Sequence, residues 1–191
     1  MTAAVLTVRR GGRTSVWTAL GSAVVVAVLA YLPYAVATSV TGTIVTFLEL
    51  LAMASMWNLL AGYAGLVSVG QQAYVGLGAY SVLQLSDWGV PPYVGVFLAA
   101  VVCALIALPT SLLAFRLRGD YFAVGTWVIA EVYHLVMTQD RALGGGSGRA
   151  LTTLSGLDPV LRQAITYWVA LAVCLLSVLG CYLLLRGRLG L

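Results

Sequence analysis

The chain has 191 residues, of which 61% are apolar and 16 are charged, or 8%, against roughly 25% charged in soluble domains. A water-soluble globular fold and a disordered chain are both excluded, because this much apolar surface must leave water and lipid is the solvent that accepts it. The net charge of +4 comes from ten arginines and no lysine. The lysine of a nucleotide-binding loop and any Schiff-base lysine are therefore missing, and the arginines fall in short clusters between apolar runs, where they report topology rather than a nucleic-acid surface.

Residues 1–15 are polar and carry Arg9, Arg10 and Arg13, and Val16 to Ala37 follows with no charge in 22 residues. This predicts a cytoplasmic tail and a first span. Ala35-Val36-Ala37 looks like a small-residue cleavage site, but the run exceeds the roughly 7–15 residues of a secretory signal core, so it is read as retained. Gly42 to Gly62, with Glu49 and Asn58, predicts a second span, and the Gly-rich run Tyr63 to Leu85 a third. A turn at Ser86, Asp87, Gly89, Pro91 and Pro92 leads into the uncharged Tyr93 to Phe115, where Pro109 removes one backbone hydrogen bond and predicts a kink. Arg116-Leu117-Arg118-Gly119-Asp120 closes that run. Tyr121 to Thr138 is a fifth segment carrying Glu131 and His134, residues 139–163 form a long loop, and Ala164 to Leu185 is the last apolar run. Within the loop, Leu157-Asp158-Pro159 predicts the start of a short interfacial helix.

The arginines test this count. If all six segments cross from a cytoplasmic N-terminus, the inner side receives Arg9, Arg10, Arg13, Arg116, Arg118, Arg186 and Arg188, and the outer side Arg141, Arg149 and Arg162. Seven against three obeys the positive-inside rule, whereas a re-entrant third segment would weaken the bias. The expected fold is thus all-α: a polytopic transmembrane bundle of about six spans over residues 16–185, with one Gly-rich broken helix and both termini cytoplasmic.

The polar residues inside these spans are the candidates for function. Gly62 to Gly78 holds five glycines in 17 residues (Gly62, Gly65, Gly70, Gly76 and Gly78) together with Ser68, Gln71 and Gln72. Glycine lets a helix unwind or pack closely, and uncompensated polar side chains in hydrocarbon are costly. One reading is a broken helix lining a polar pathway; the other is small-residue packing, with Ala61, Gly65, Val69 and Ala73 on one stripe. Glu131 and His134 stand at i, i+3 on one helix face, a spacing that allows a buried pair near the pathway. Glu49 reads equally as packing or snorkelling. Cys103, Cys174 and Cys181 lie in apolar runs with no metal-ligand spacing and are read as packing residues. Gly144 to Gly148 lacks the lysine of a phosphate cradle, Arg118-Gly119-Asp120 falls on the inner face, and the apolar run after Arg9-Arg10 is long enough to stay in the membrane. No catalytic constellation is visible, so neither an enzyme nor a metal site is expected.

Taken together, the motifs resemble the membrane subunit of bacterial branched-chain amino-acid ABC transporters, of the LivM type. Asn58-Leu59-Leu60-Ala61-Gly62-Tyr63-Ala64-Gly65, continuing to Gly76-Leu77-Gly78-Ala79-Tyr80, is similar to a first signature of that family. Arg116-Leu117-Arg118-Gly119-Asp120-Tyr121-Phe122-Ala123, with Thr126 and Glu131, is similar to a second, and Leu143 to Gly148 to a third. The resemblance covers roughly residues 45–150, in order and at the family's spacing. Leu66 and Gln71 stand where the family commonly has Gln and His, Gly144 for a Thr and His134 for an Arg, departures that bear on substrate more than on fold.

The resemblance implies a permease in the bacterial inner membrane that forms part of a translocation pathway with a second permease subunit. It also implies a solute-binding protein outside and two ATP-binding subunits inside, so this chain would hold no cofactor of its own. Ser68, Gln71, Gln72 and Glu131 would border the pathway, and Arg116, Arg118, Gly119 and Asp120 would form a cytoplasmic loop motif. Permeases for urea or short amides share the same blocks, and a non-transporting membrane scaffold is the alternative from another class. In the family the last span seen here is followed by a segment that docks on the ATPase. The chain is accordingly expected to be a C-terminally truncated permease, with residues 186–191 at the point where that segment would begin.

Overall fold

The computed structural model describes residues 13–139, 144, 149–151, 156 and 158–186. Arg9, Arg10, Arg141, Gly145 to Gly148, Leu157 and Gly187 to Leu191, all part of the expectations above, lie outside the described residues. Among the described residues six α-helices follow the six apolar runs in order: α1 (Arg13–Ala35), α2 (Thr38–Asn58), α3 (Gln71–Asp87), α4 (Pro92–Ala114), α5 (Asp120–Gln139) and α6 (Pro159–Arg186). No strand occurs among the described residues. The protein is a helical membrane bundle.

Among the described residues three helical stretches are long and apolar enough to cross a membrane: Thr38–Tyr63, in which a π turn at Leu59–Tyr63 extends α2, Pro92–Ala114 and Pro159–Arg186. At 1.5 Å per residue they measure roughly 35–42 Å, more than the ~30 Å of a hydrocarbon core. α4 runs unbroken through Pro109. α3 has 17 residues, about 25 Å, and falls short of that thickness; the non-helical residues 64–70 precede it.

Asp158 and Pro159, expected to begin a separate interfacial helix, instead cap and open α6, which continues to Arg186. The reason is local. The Asp158 carboxylate accepts the Val160 N–H at 3.0 Å, and Pro159 starts the helix where a missing N–H costs nothing.

The helices pack in two groups. In the first, α2 and α6 run parallel: the Gln163 side-chain amide donates to the Thr38 carbonyl at one end, and the Cys181 thiol donates to the Ser55 carbonyl at 3.4 Å at the other. Leu48, Ala52, Tyr167, Leu171 and Cys174 are their buried core. Tyr167 is wholly buried, and its hydroxyl donates to the Leu29 carbonyl of α1 at 2.7 Å, so the phenol brings no unpaired polar atom into the apolar layer. In the second group α3, α4 and α5 pack together. Gly78 lets the Cys103 Sγ approach to 3.7 Å of where a Cβ would stand, and Gly95 does the same for Val82 and Leu85. Hydroxyls within the helices bond the carbonyl one turn back, as Ser55 does to Leu51, Ser81 to Leu77 and Thr110 to Ile106. Most other large apolar side chains face outward, Tyr31, Phe97, Leu105 and Leu176 among them, as a lipid solvent requires.

Candidate functional site

The site is built where α2 gives way to α3. In the π turn Leu59–Tyr63, Gly62 leaves room for the Asn58 side chain, whose Oδ1 lies 2.7 Å from the position of a Cβ. Gly65 follows at φ +67, a left-handed conformation that side chains resist. The chain then stays out of helix as far as Gly70. Non-helical backbone in an apolar layer needs partners for its polar groups, and side chains of other helices supply them. The Trp57 indole N–H donates to the Ser68 carbonyl at 3.0 Å, and the Val69 N–H donates to the Thr126 hydroxyl at 3.1 Å. That hydroxyl donates in turn to the Ala123 carbonyl at 2.9 Å. Gly70 is buried against α5 so closely that a Cβ would collide with the Thr126 carbonyl oxygen.

The ends of the bundle are fixed by two features. At one end Arg116 and Arg118 are exposed on the turn between α4 and α5. Gly119 turns the chain there at φ +59, Asp120 places its carboxylate at the α5 N-terminus where the helix dipole favours it, and Phe115 stacks on Phe122 with ring centroids 6.2 Å apart. Gly125 gives Leu117 its place: a Cβ there would strike the leucine. At the other end Asp87, closing α3, pairs with Arg149 at 2.6 Å.

Two grooves flank the contact between α3 and α5. One, of about 310 Å³, runs toward the Asp87 end and is lined by Gln72, Tyr80, Trp127, Glu131, His134 and Met137. The other, of about 300 Å³, lies toward the Arg116 end on the side where α4 packs. Its polar lining includes Ser68, Gln71, Thr110, Ser111 and Thr126, and Phe115 and Phe122 are part of its apolar wall.

The predicted residues are therefore brought together in part and divided in part. Ser68, Gln71 and Gln72 do not form one cluster: Ser68 and Gln71 enter the Arg116-side groove, and Gln72 the Asp87-side groove with Glu131. Gln71 and Gln72 are the first residues of α3, and successive helical residues point about 100° apart.

The expected buried pair of Glu131 and His134 is not made. Both are exposed in the groove, and neither has a hydrogen bond or ion pair among the described residues. An exposed pair gains only modest Coulomb energy against the side-chain entropy it costs. Glu49 is exposed on α2. Gly76 and Gly78 do not break the helix either. They lie inside α3, Gly76 beside open space and Gly78 at the contact with Cys103. The stripe Ala61, Gly65, Val69 and Ala73 shares no helix face, because residues 64–70 interrupt it.

Trp57, Thr110, Leu117, Gly125 and Tyr133 were missed as site-forming residues, although Tyr133 sits between the two residues already singled out on α5. Chemically the grooves offer amides, hydroxyls, an imidazole and one carboxylate beside apolar walls, without a nucleophile and base in contact. Such a set is chemically suited to hydrogen bonds and apolar contact with a small solute.

Residues 39–191 match the family described as branched-chain amino acid transport system, permease component. The chain is 28% identical over 160 residues to the high-affinity branched-chain amino acid transport system permease protein LivM of Salmonella typhimurium (strain LT2), covering 70% of this chain and 38% of that protein. It is 28% identical over 165 residues to the LivM protein of Escherichia coli (strain K12), with the same coverage. The chain thus spans 38% of the length of these curated relatives. No solved structure matches it.

Proposed function

We propose that this chain, which belongs to the family of permease components of branched-chain amino acid transport systems, forms part of a translocation pathway in an ABC importer of the bacterial inner membrane. The observation that carries this reading is the pair of grooves on either side of the α3–α5 contact, which gather Ser68, Gln71, Gln72 and Glu131. Polar side chains at membrane depth mark solute paths when they line a water-filled space. The substrate is an aliphatic amino acid. Ala107, Ala114 and Ile129 line the Arg116-side groove together with its two phenylalanines, walls that suit a branched alkyl chain.

ATP hydrolysis belongs to two cytoplasmic subunits, solute delivery to an extracytoplasmic binding protein, and the pathway is completed by a second permease subunit. The Arg116 end faces the cytoplasm. The test is uptake of labelled leucine by cells lacking this chain and complemented with the parent, Gln71→Leu or Gln72→Leu. Both variants should reach the membrane and lower uptake at least about tenfold, as loss of a positioned polar contact does. Normal uptake by both would favour a scaffold role, and competition by urea but not by isoleucine would favour an amide permease.

A further inference from the structure

The two grooves share two lining residues, Ala73 and Tyr133. They are also staggered along the bundle. α3 and α5 both run from the Arg116 end toward the Asp87 end. The Asp87-side groove extends along α5 from Trp127 to Met137, and the other from Phe122 to Tyr133. α4 contributes to the second groove alone, through residues near its Arg116 end such as Ala107 and Ala114. A solute that passed from one groove to the other would have to cross between Ala73 and Tyr133, and of these two only the tyrosine has the bulk to obstruct it.

The tyrosine is held at that place. The Thr110 hydroxyl donates its single proton to the Ile106 carbonyl at 2.8 Å, so in the hydrogen bond between Thr110 and Tyr133 the tyrosine O–H is the donor. The Tyr133 ring also meets Tyr74 of α3 edge-on, with centroids 6.2 Å apart. One side chain on α5 is thus tethered to α4 and α3 at the point where the two grooves meet. The tether is a neutral hydrogen bond and an aromatic edge contact, both of which are weak enough to exchange.

We propose that Tyr133 is the partition of the permeation path, closing the Asp87-side groove from the Arg116-side groove, and that Thr110 positions it. This rests on the reading of the grooves as a pathway. It adds the residue whose movement joins them.

The test uses the chain in its native membrane with its partners, Cys103, Cys174 and Cys181 replaced by alanine, and one cysteine introduced as Gln72→Cys or Ser111→Cys. A membrane-impermeant cationic methanethiosulfonate is applied to intact cells. Gln72→Cys should react with Tyr133 present, and Ser111→Cys should react slowly. Adding Tyr133→Ala should raise the Ser111→Cys rate at least about tenfold, since accessibility follows the open fraction. Thr110→Val keeps the ring and its volume while removing its acceptor, and should raise the same rate about fivefold, the population change set by one neutral hydrogen bond. If Tyr133→Ala fails to reach the membrane, the Thr110→Val rate decides. A Ser111→Cys rate unchanged by the variants, or equal to that of Gln72→Cys beforehand, would overturn the partition and leave the pathway standing. Failure of both cysteines to react in intact cells and in inside-out vesicles would overturn the pathway and the partition together.

Discussion

Thr126 satisfies two backbone groups with one hydroxyl, accepting from the Val69 N–H and donating to the Ala123 carbonyl. Thr126→Val should strand the Val69 N–H and cost about 1–3 kcal/mol, read as a lower melting temperature of the purified chain in detergent, and Thr126→Ser should restore most of it. Gly70→Ala is expected to cost at least as much, about 1–3 kcal/mol of overpacking, because the atom it would strike is a backbone carbonyl oxygen that cannot rotate away. Glu131 behaves differently. Being exposed and unpaired, it should tolerate Glu131→Gln and Glu131→Leu within about 0.5 kcal/mol of stability, while leucine uptake falls for both. At this scale the sequence marks Ser68, Gln71 and Gln72 by residue type alone, and the structure divides them between two grooves where one cluster was expected. The sequence is silent on Trp57, Thr110 and Tyr133, residue types ordinary in any membrane helix. The decisive contact joins positions 57 residues apart, and composition carries no trace of it.

The break before α3 is the element on which the site depends. Five glycines announced a broken helix, yet the glycines do three different jobs. Gly65 supplies a left-handed φ, Gly70 a close approach to α5, and Gly78 a contact with Cys103. Gly65→Ala should therefore cost about 1–2 kcal/mol for the left-handed backbone. Gly76→Ala, inside a regular helix with open space beside it, should be neutral or stabilise by up to about 1 kcal/mol through helix propensity. Thermal melting of the two variants side by side checks both signs. Period and glycine content gave the existence of the break, but its limits at residues 64–70 depend on where α5 offers Thr126, which is a tertiary matter. The start of α6 shows the opposite case: Asp158-Pro159 is a complete local helix signal, and reading it as a separate short helix missed only that nothing interrupts the turns after it.

Across the whole molecule, the ion pair of Asp87 with Arg149 sets one end and the exposed Arg116 and Arg118 the other. Single cysteines at positions 118 and 149, in a background without the native three, should label from opposite faces of the membrane. The pair itself is 44% and 40% exposed, so Asp87→Asn should cost less than about 1 kcal/mol. The order of the helices could be read from hydropathy, whereas the grouping of α1 and α2 with α6, and of α3 with α4 and α5, could not. That grouping also has a consequence in time. A ribosome delivers the chain from its N-terminus, so α3, α4 and α5 can close on one another as soon as they are inserted. α1 and α2 must wait for α6, whose contacts lie 125–138 positions further on, and long sequence separation slows assembly. In nascent chains stalled with residue 139 as the last inserted, Ala52→Cys should react readily with N-ethylmaleimide while Leu77→Cys is already protected. Insertion through residue 186 should then protect Ala52→Cys as well, which makes α6 the clasp that ends a period of vulnerability for the first two helices.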